Sequence, residues 1–365
     1  MDQAAERLAM LRRLAGWGVT LDEMVAAADV GRLPIAGAAR LINGGEERLT
    51  LAEVVERSGV DHQAARAVWL ADGFPDPGDE RLFSERDVTV FPLLTAGINL
   101  FGEAMFLQVA RVLGSSLARV AEAEVAAFAL TVGTDLARKG ATEAEIVASL
   151  DSVAALIEPL TAVIDVLHRH HLAAAVQRLA YTTESLAQGP AAVTLAVGFA
   201  DLTGYTALSQ RLPLGELADA LADFDAVASD VVAGLGGRVV KLIGDEVMFA
   251  THSVDDALAV TTRLMRAVED HPVLPGLRAG IAHGVVITRE GDYFGTVVNL
   301  AARAASAASV GQVLVDAATQ QSATSAWQFR TAGAVELKGF DSPVELFEVL
   351  AAPGGKVDMG ARREG

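Results

Sequence analysis

The chain contains no cysteine, which excludes disulfides and cysteine-based zinc sites. Long apolar runs are missing as well. The stretches around Ile98 to Leu113 and Leu156 to Leu167 are broken by Glu103, Gln108 and Arg111, or by Glu158 and Asp165. Neither reaches the roughly 18 residues of a membrane-spanning helix, and no basic segment followed by an apolar core opens the sequence. A cytoplasmic protein without a membrane span is expected. Positive charge is scarce: 29 lysines and arginines stand against 47 acids, a formal net charge of −18. The deficit is evenly spread, with 21 acids and 13 bases from Ala191 onward and the remaining 26 and 16 before it. Such a surface repels nucleic acid and anionic lipid, so no nucleic-acid partner is expected, and a bound polyphosphate would need metal ions and a few local cations.

What is present, 52% hydrophobic and 21% charged residues over 365 positions, suits a globular chain of two domains. Residues 1 to about 45 show helical spacing (Leu8, Leu11, Leu14; Leu21, Met24, Val25) between turns at Gly16 to Gly18 and Gly31 to Pro34. From Arg48, the text RLTLAEVVERSGVDHQAARAVWL, with Thr50 as a cap, Ser58-Gly59-Val60 as a turn and Phe83 to Asp87 opening a further helix, resembles the helix-turn-helix of MerR-type regulators over about 48–90. Leu49 to Val90 holds nine acids against four arginines, the wrong balance for a DNA reader, and favours a structural module. Phe91 to Ala187 is helical by periodicity, with breaks expected at Gly114, Gly140 and Pro159. Its helices are apolar enough for a dimer interface or a pocket for an apolar ligand. Domains are expected at 1–180 and 191–351, with a linker at 181–190 before the Gly189-Pro190 stop and a frayed tail at 352–365.

After Pro190 the pattern alternates: strand Val193 to Phe199, helix Leu214 to Leu235, a hairpin over Arg238 to Thr251, helix Val254 to Val268, strand Leu277 to Val286 and helix Thr296 to Ala305. Strands follow at Gln312 to Val315 and near Ala334 to Leu337 and Val344 to Val349. This is βαββαβ with additions, an α+β, ferredoxin-like domain behind an all-α one. Within the hairpin, alternation places Lys241 inside an apolar strand, where an ammonium needs a partner. Asp245 sits at the hairpin tip and Asp201 at the end of the first strand. Two carboxylates at neighbouring strand ends suit a pair of Mg²⁺ ions on a nucleoside triphosphate. Asp292 lies in the loop GDYFGT, and Asn299 and Arg303, four apart, share one face of the next helix.

Taken in order, FADLTGYT, KLIGDE, LRAGIAHG and GDYFGTVVNLAAR closely resemble class III nucleotidyl cyclases, in particular the bacterial subclass with compact catalytic domains. The resemblance implies that Asp201 and Asp245 hold two Mg²⁺ or Mn²⁺ ions and that Lys241 and Asp292 select adenine. It likewise implies that Asn299 orients the ribose, that Arg303 meets transition-state charge and that Arg278 holds the distal phosphates. It implies ATP as substrate, cyclic AMP as product, and a homodimer in which each site draws on both subunits.

The first half is similar to the N-terminal regulatory domain of mycobacterial pH-responsive cyclases, which implies inhibition relieved by acid. His168, His170 and His171, just ahead of the linker, are the titrating candidates. Two other readings are open to the sequence alone. IGDEVMF looks like the GGDEF hairpin of diguanylate cyclases, although Lys241 and Asp292 oppose guanine. A transcriptional regulator could use the region around Ser58 to Arg66.

Overall fold

The computed structural model describes residues 3–43, 48–180 and 192–351. The linker at 181–190 and the tail at 352–365 lie outside these. The chain forms two compact units, Met1–Val176 and Gln177–Gly365.

The first unit is helical. Helices α1 (Gln3–Gly16), α2 (Leu21–Asp29) and α3 (Leu33–Ile42) enclose Met10, Leu14, Met24 and Leu33 together with Val147. Thr20 and Glu23 cap α2 reciprocally. Helices α4 (Leu51–Ser58), α5 (His62–Ala71) and α6 (Glu85–Phe101) close on Leu51, Val54, Val60, Phe83 and Phe91. Thr50 with Glu53, and Ser84 with Asp87, form the capping boxes of α4 and α6, and Gly59 ends α4 at φ 72°. The four arginines between Leu49 and Val90 are engaged by carboxylates of the chain: Arg57 by Glu85, Arg66 by Asp76, Arg81 by Glu53 and Arg86 by Glu158.

Then come α7 (Glu103–Phe128), a π-helical turn at Ala129–Gly133, α8 (Thr134–Arg138) and α9 (Glu143–Ala180). Two expected breaks are absent. Gly114 lies inside α7, and a Cβ there would stand 2.1 Å from the carbonyl oxygen of Asp72, so this glycine permits close approach to the end of α5 rather than a turn. Pro159 lies inside α9, which continues through it. Gly140, at φ 64°, does separate α8 from α9.

The continuity of α9 also corrects the reading of apolar runs. Glu143–Gln177 contains an 18-residue window of mean hydropathy 1.6, long and apolar enough to cross a membrane by length and composition. Only 11% of that window is buried within the structure. A cleft of about 870 Å³ in this unit is lined by Val19, Val30 and Ile35 and by Arg32, Arg40, Arg48 and Arg81. It lies ahead of the segment expected to hold an apolar pocket, and its lining is partly cationic.

The second unit is an eight-stranded sheet with helices on both faces. Its strands are β1 (Ala192–Leu202), β2 (Arg238–Ile243), β3 (Glu246–Thr251), β4 (Leu277–Arg289), β5 (Asp292–Phe294), β6 (Val313–Asp316), β7 (Gln328–Val335) and β8 (Val344–Ala351). The order β2-β3-β1-β4 is the antiparallel ferredoxin-like core expected, extended through a parallel β4–β6 pair to β8 and β7, with β5 on β4. The central strand β1 is buried over Leu195 to Ala200 without alternation, because both its faces are covered. Helices α11 (Leu214–Gly234) and α12 (Val254–Glu269) pack one face through Phe224, Val232, Leu258 and Leu264, and α13 (Thr296–Ala307) packs the other through Ala301 and Ala305. Short α10 (Tyr205–Arg211), α14 (Ala317–Ser322) and β5 add to the expected elements, and β7 begins earlier, at Gln328.

The hairpin is not buried throughout. Strand β3 is, but β2 is the sheet edge, with Leu242 and Ile243 at 40% and 47% exposure.

Candidate active site

Antiparallel register brings Asp201 opposite Glu246 on one side and Arg278 on the other. The amide of Leu202 donates to the carbonyl of Asp245 at 3.0 Å, so the end of β1 is tied to the hairpin tip and the two aspartates become neighbours. Arg278 donates to one oxygen of Asp201 from Nε (2.8 Å) and Nη2 (2.6 Å) and to the Ser306 carbonyl from Nη1 (3.1 Å). Burial pushes the Asp245 carboxyl up, and the Asp201 charge pushes the same way. Glu246 is raised likewise, by burial and then by both aspartates. Three carboxylates thus crowd a single guanidinium, an excess of negative charge that divalent cations would neutralise. These groups, Glu246 excepted, line a cleft of about 630 Å³ together with Thr203, Gly204 and Ser309.

A second group assembles elsewhere on the sheet. Lys241 Nζ donates to Asp292 Oδ2 at 2.5 Å, and Asp292 Oδ1 accepts the Tyr293 amide at 2.8 Å. The partner expected for Lys241 is present, but the environment differs from the expected one. At 38% side-chain exposure Lys241 is not inside the sheet. The register shifts between Val239 and Lys241, so an extra residue, Val240, resets the alternation.

Asn299 and Arg303 are exposed on α13. Among the described residues neither side chain makes a hydrogen bond or ion pair, which leaves both able to meet an incoming group. The helix is seated by Gly280 of β4: a Cβ there would stand 2.1 Å from the Ala305 nitrogen and 2.4 Å from the Ala301 carbonyl oxygen. Gly280→Val is therefore expected to cost about 2–3 kcal/mol by overpacking. It should also lower turnover at least tenfold, roughly, by shifting Arg303. Thermal unfolding and turnover of the full chain check this, and a variant with unchanged melting temperature would contradict the packing described.

The structure thus brings Asp201, Asp245 and Arg278 together, and Lys241 with Asp292. The cleft at the aspartate pair is lined by none of Lys241, Asp292, Asn299 and Arg303. Sequence reasoning assigned nothing to Glu246 or to the Ser306 carbonyl. Glu246 stood beside Asp245 as a signal, whereas the Ser306 contact depends on where α13 ends.

Residues 189–350 match the family described as adenylate and guanylate cyclase catalytic domain, and residues 2–175 match adenylate cyclase regulatory domain. An uncharacterised protein of Mycobacterium tuberculosis is 37% identical over 95% of this chain and 91% of its own length. An adenylate cyclase of Streptomyces coelicolor is 37% identical over 80% of this chain and 76% of its own. The pH-sensitive adenylate cyclase of M. tuberculosis is 29% identical over 94% of this chain and 88% of its own.

Proposed function

The chain belongs to the class III adenylate cyclases with an N-terminal regulatory domain, and from that membership we propose that it converts ATP to 3′,5′-cyclic AMP and pyrophosphate at sites shared between two subunits. The observation that carries the shared site is the separation just described: the aspartate cleft and the Lys241–Asp292 pair are each well formed, yet they do not line one cavity.

In the reaction the ribose 3′-oxygen attacks the α-phosphorus, the bond to the bridging oxygen of pyrophosphate breaks, and the 3′-hydroxyl proton is lost. Asp201 and Asp245 offer hard oxygen donors suited to Mg²⁺ or Mn²⁺. Asp201 and Asp245 are the acids lining the cleft, a pair that suits ions sharing their coordination with substrate phosphates. When bound, such ions supply charge neutralisation of the triphosphate and a lowered pKa for the 3′-hydroxyl.

The chain's own groups do the rest. Arg278, beside Asp201, faces the distal phosphates. Lys241 donates to a ring nitrogen of adenine while Asp292 accepts from the 6-amino group, a polarity that guanine would oppose. Asn299 orients the ribose of the site completed by the partner subunit, and Arg303 meets charge that develops as pyrophosphate departs.

The domain of residues 1–180 acts, in this reading, as an inhibitor of the catalytic domain at 191–351, released in acid through the linker at 181–190. The pH-sensitive relative, similar over nearly the whole chain, supports it. We place the activity in the cytoplasm. His168, His170 and His171 are exposed on α9.

The test incubates full-length protein, and the fragment from Ala191, with ATP and Mn²⁺ at pH 6 and pH 8 and measures cyclic AMP. Both should form it, and the fragment should exceed the full chain about tenfold or more at pH 8 but little at pH 6, as a population shift of that size requires. Absence of cyclic AMP from both proteins refutes the cyclase reading, and equal rates at pH 8 remove the inhibitory domain.

A further inference from the structure

The hairpin joining β4 to β5 turns through Glu290 and Gly291, both at positive φ, 56° and 77°. Arg289 and Asp292 pair across it, so this is the two-residue turn whose twist matches the strands. Glycine takes that backbone freely, whereas glutamate does not. The turn that presents Asp292 therefore has a conformational cost that its surroundings must offset.

Arg238, at the start of β2, is the surrounding group. Its Nη2 donates to the Gly291 carbonyl, its Nη1 lies 3.4 Å from the Tyr293 hydroxyl, and its guanidinium carbon stands 5.5 Å from the Tyr293 ring centroid. Asp292 is the residue between those two partners. Tyr293 is itself buried at 8% exposure, so the arginine ties the tip of the hairpin to a fixed ring. In a regular strand Arg238 and Lys241, three apart, would point to opposite faces. The extra residue at Val240 returns Lys241 to the side of Arg238. One edge strand thus carries both the group that pairs with Asp292 and the group that holds the turn before it.

We propose that Arg238 is a positioning residue for base selection: it holds the β4–β5 turn so that Asp292 faces Lys241 in the arrangement that accepts adenine. This rests on the reading of Lys241 and Asp292 as the base-selecting pair. A guanidinium suits the task because its planar fork donates in two fixed directions while lying over a ring, whereas an ammonium is a compact point charge without that fixed geometry.

The test measures kcat and KM of the full-length enzyme for ATP and for purine riboside triphosphate, which lacks the 6-amino group that Asp292 would accept from. Wild type should prefer ATP. In Arg238→Gln the KM for ATP should rise and the preference should fall about tenfold, the scale of one misaligned hydrogen bond to the base, with turnover of the purine analogue nearly unchanged. Arg238→Lys should lie between the two. In an Asp292→Ala background, Arg238→Gln should alter the preference no further, because the arginine acts through that carboxylate. A lesion that lowered both substrates equally and left their ratio at the wild-type value would make Arg238 merely structural and overturn the proposal. If Arg238→Gln does not fold, a wild-type ratio in Arg238→Lys overturns it equally. A wild-type ratio in Asp292→Ala would instead overturn the base assignment, and this proposal with it.

Discussion

Asp201→Ala and Arg303→Ala, each nearly inactive alone, should together recover about a quarter of wild-type turnover when mixed and allowed to exchange subunits. Each lesion alone is expected to lower turnover about a hundredfold or more, one by removing a cation ligand and the other by removing a transition-state charge. In a homodimer with two shared sites, either substitution damages both. In a mixed dimer one site collects both lesions and the other collects neither. Random pairing makes about half the dimers mixed, each with one intact site of two, hence the quarter. The expectation rests on the aspartate cleft being lined by neither Asn299 nor Arg303. A mixture as inactive as its components, with exchange confirmed by pulling down a tagged partner, would place each site within one subunit.

The second large effect concerns the base. Lys241→Glu combined with Asp292→Cys removes a donor and an acceptor for adenine together and dissolves the 2.5 Å pair that holds them. Turnover of ATP should fall about a hundredfold or more, since a polar site left without its matching groups rejects its substrate strongly. Both side chains are partly exposed, at 38% and 25%, so the fold should tolerate the exchange, and an unfolding curve separates the two effects. Retention of most ATP turnover by a folded double variant would mean that these residues do not select the base. A gain of GTP turnover is not required, because the packing around the base contributes as well.

Much of this site was legible in the chain because its signals are local. A run of branched residues ending in Asp201, a tight turn carrying Asp245, and Asn299 and Arg303 four apart on a helix are read from neighbours in sequence. The alternation of apolar periods likewise indicated βαββαβ before any contact was known. The reading went wrong where a residue's meaning depends on what lies against it from far away. Gly114 looks like a breaker, yet it lies within α7 and admits a backbone close to its Cα. Pro159 looks like a stop, yet α9 runs on through it.

The order of elements, the residue types of both polar groups and the acidic character of the surface were determined by sequence alone, because composition and short-range periodicity do not depend on tertiary contact. Which groups meet was decided only by the fold. Asp201 and Arg278, 77 positions apart, pair because β1 and β4 align in one register. Lys241 meets Asp292 because an extra residue in β2 overrides the two-residue period that had placed its side chain in the core. A bulge leaves no mark in local composition, since it answers to strand pairing and twist, and so the direction of that one side chain could be known only from the assembled sheet.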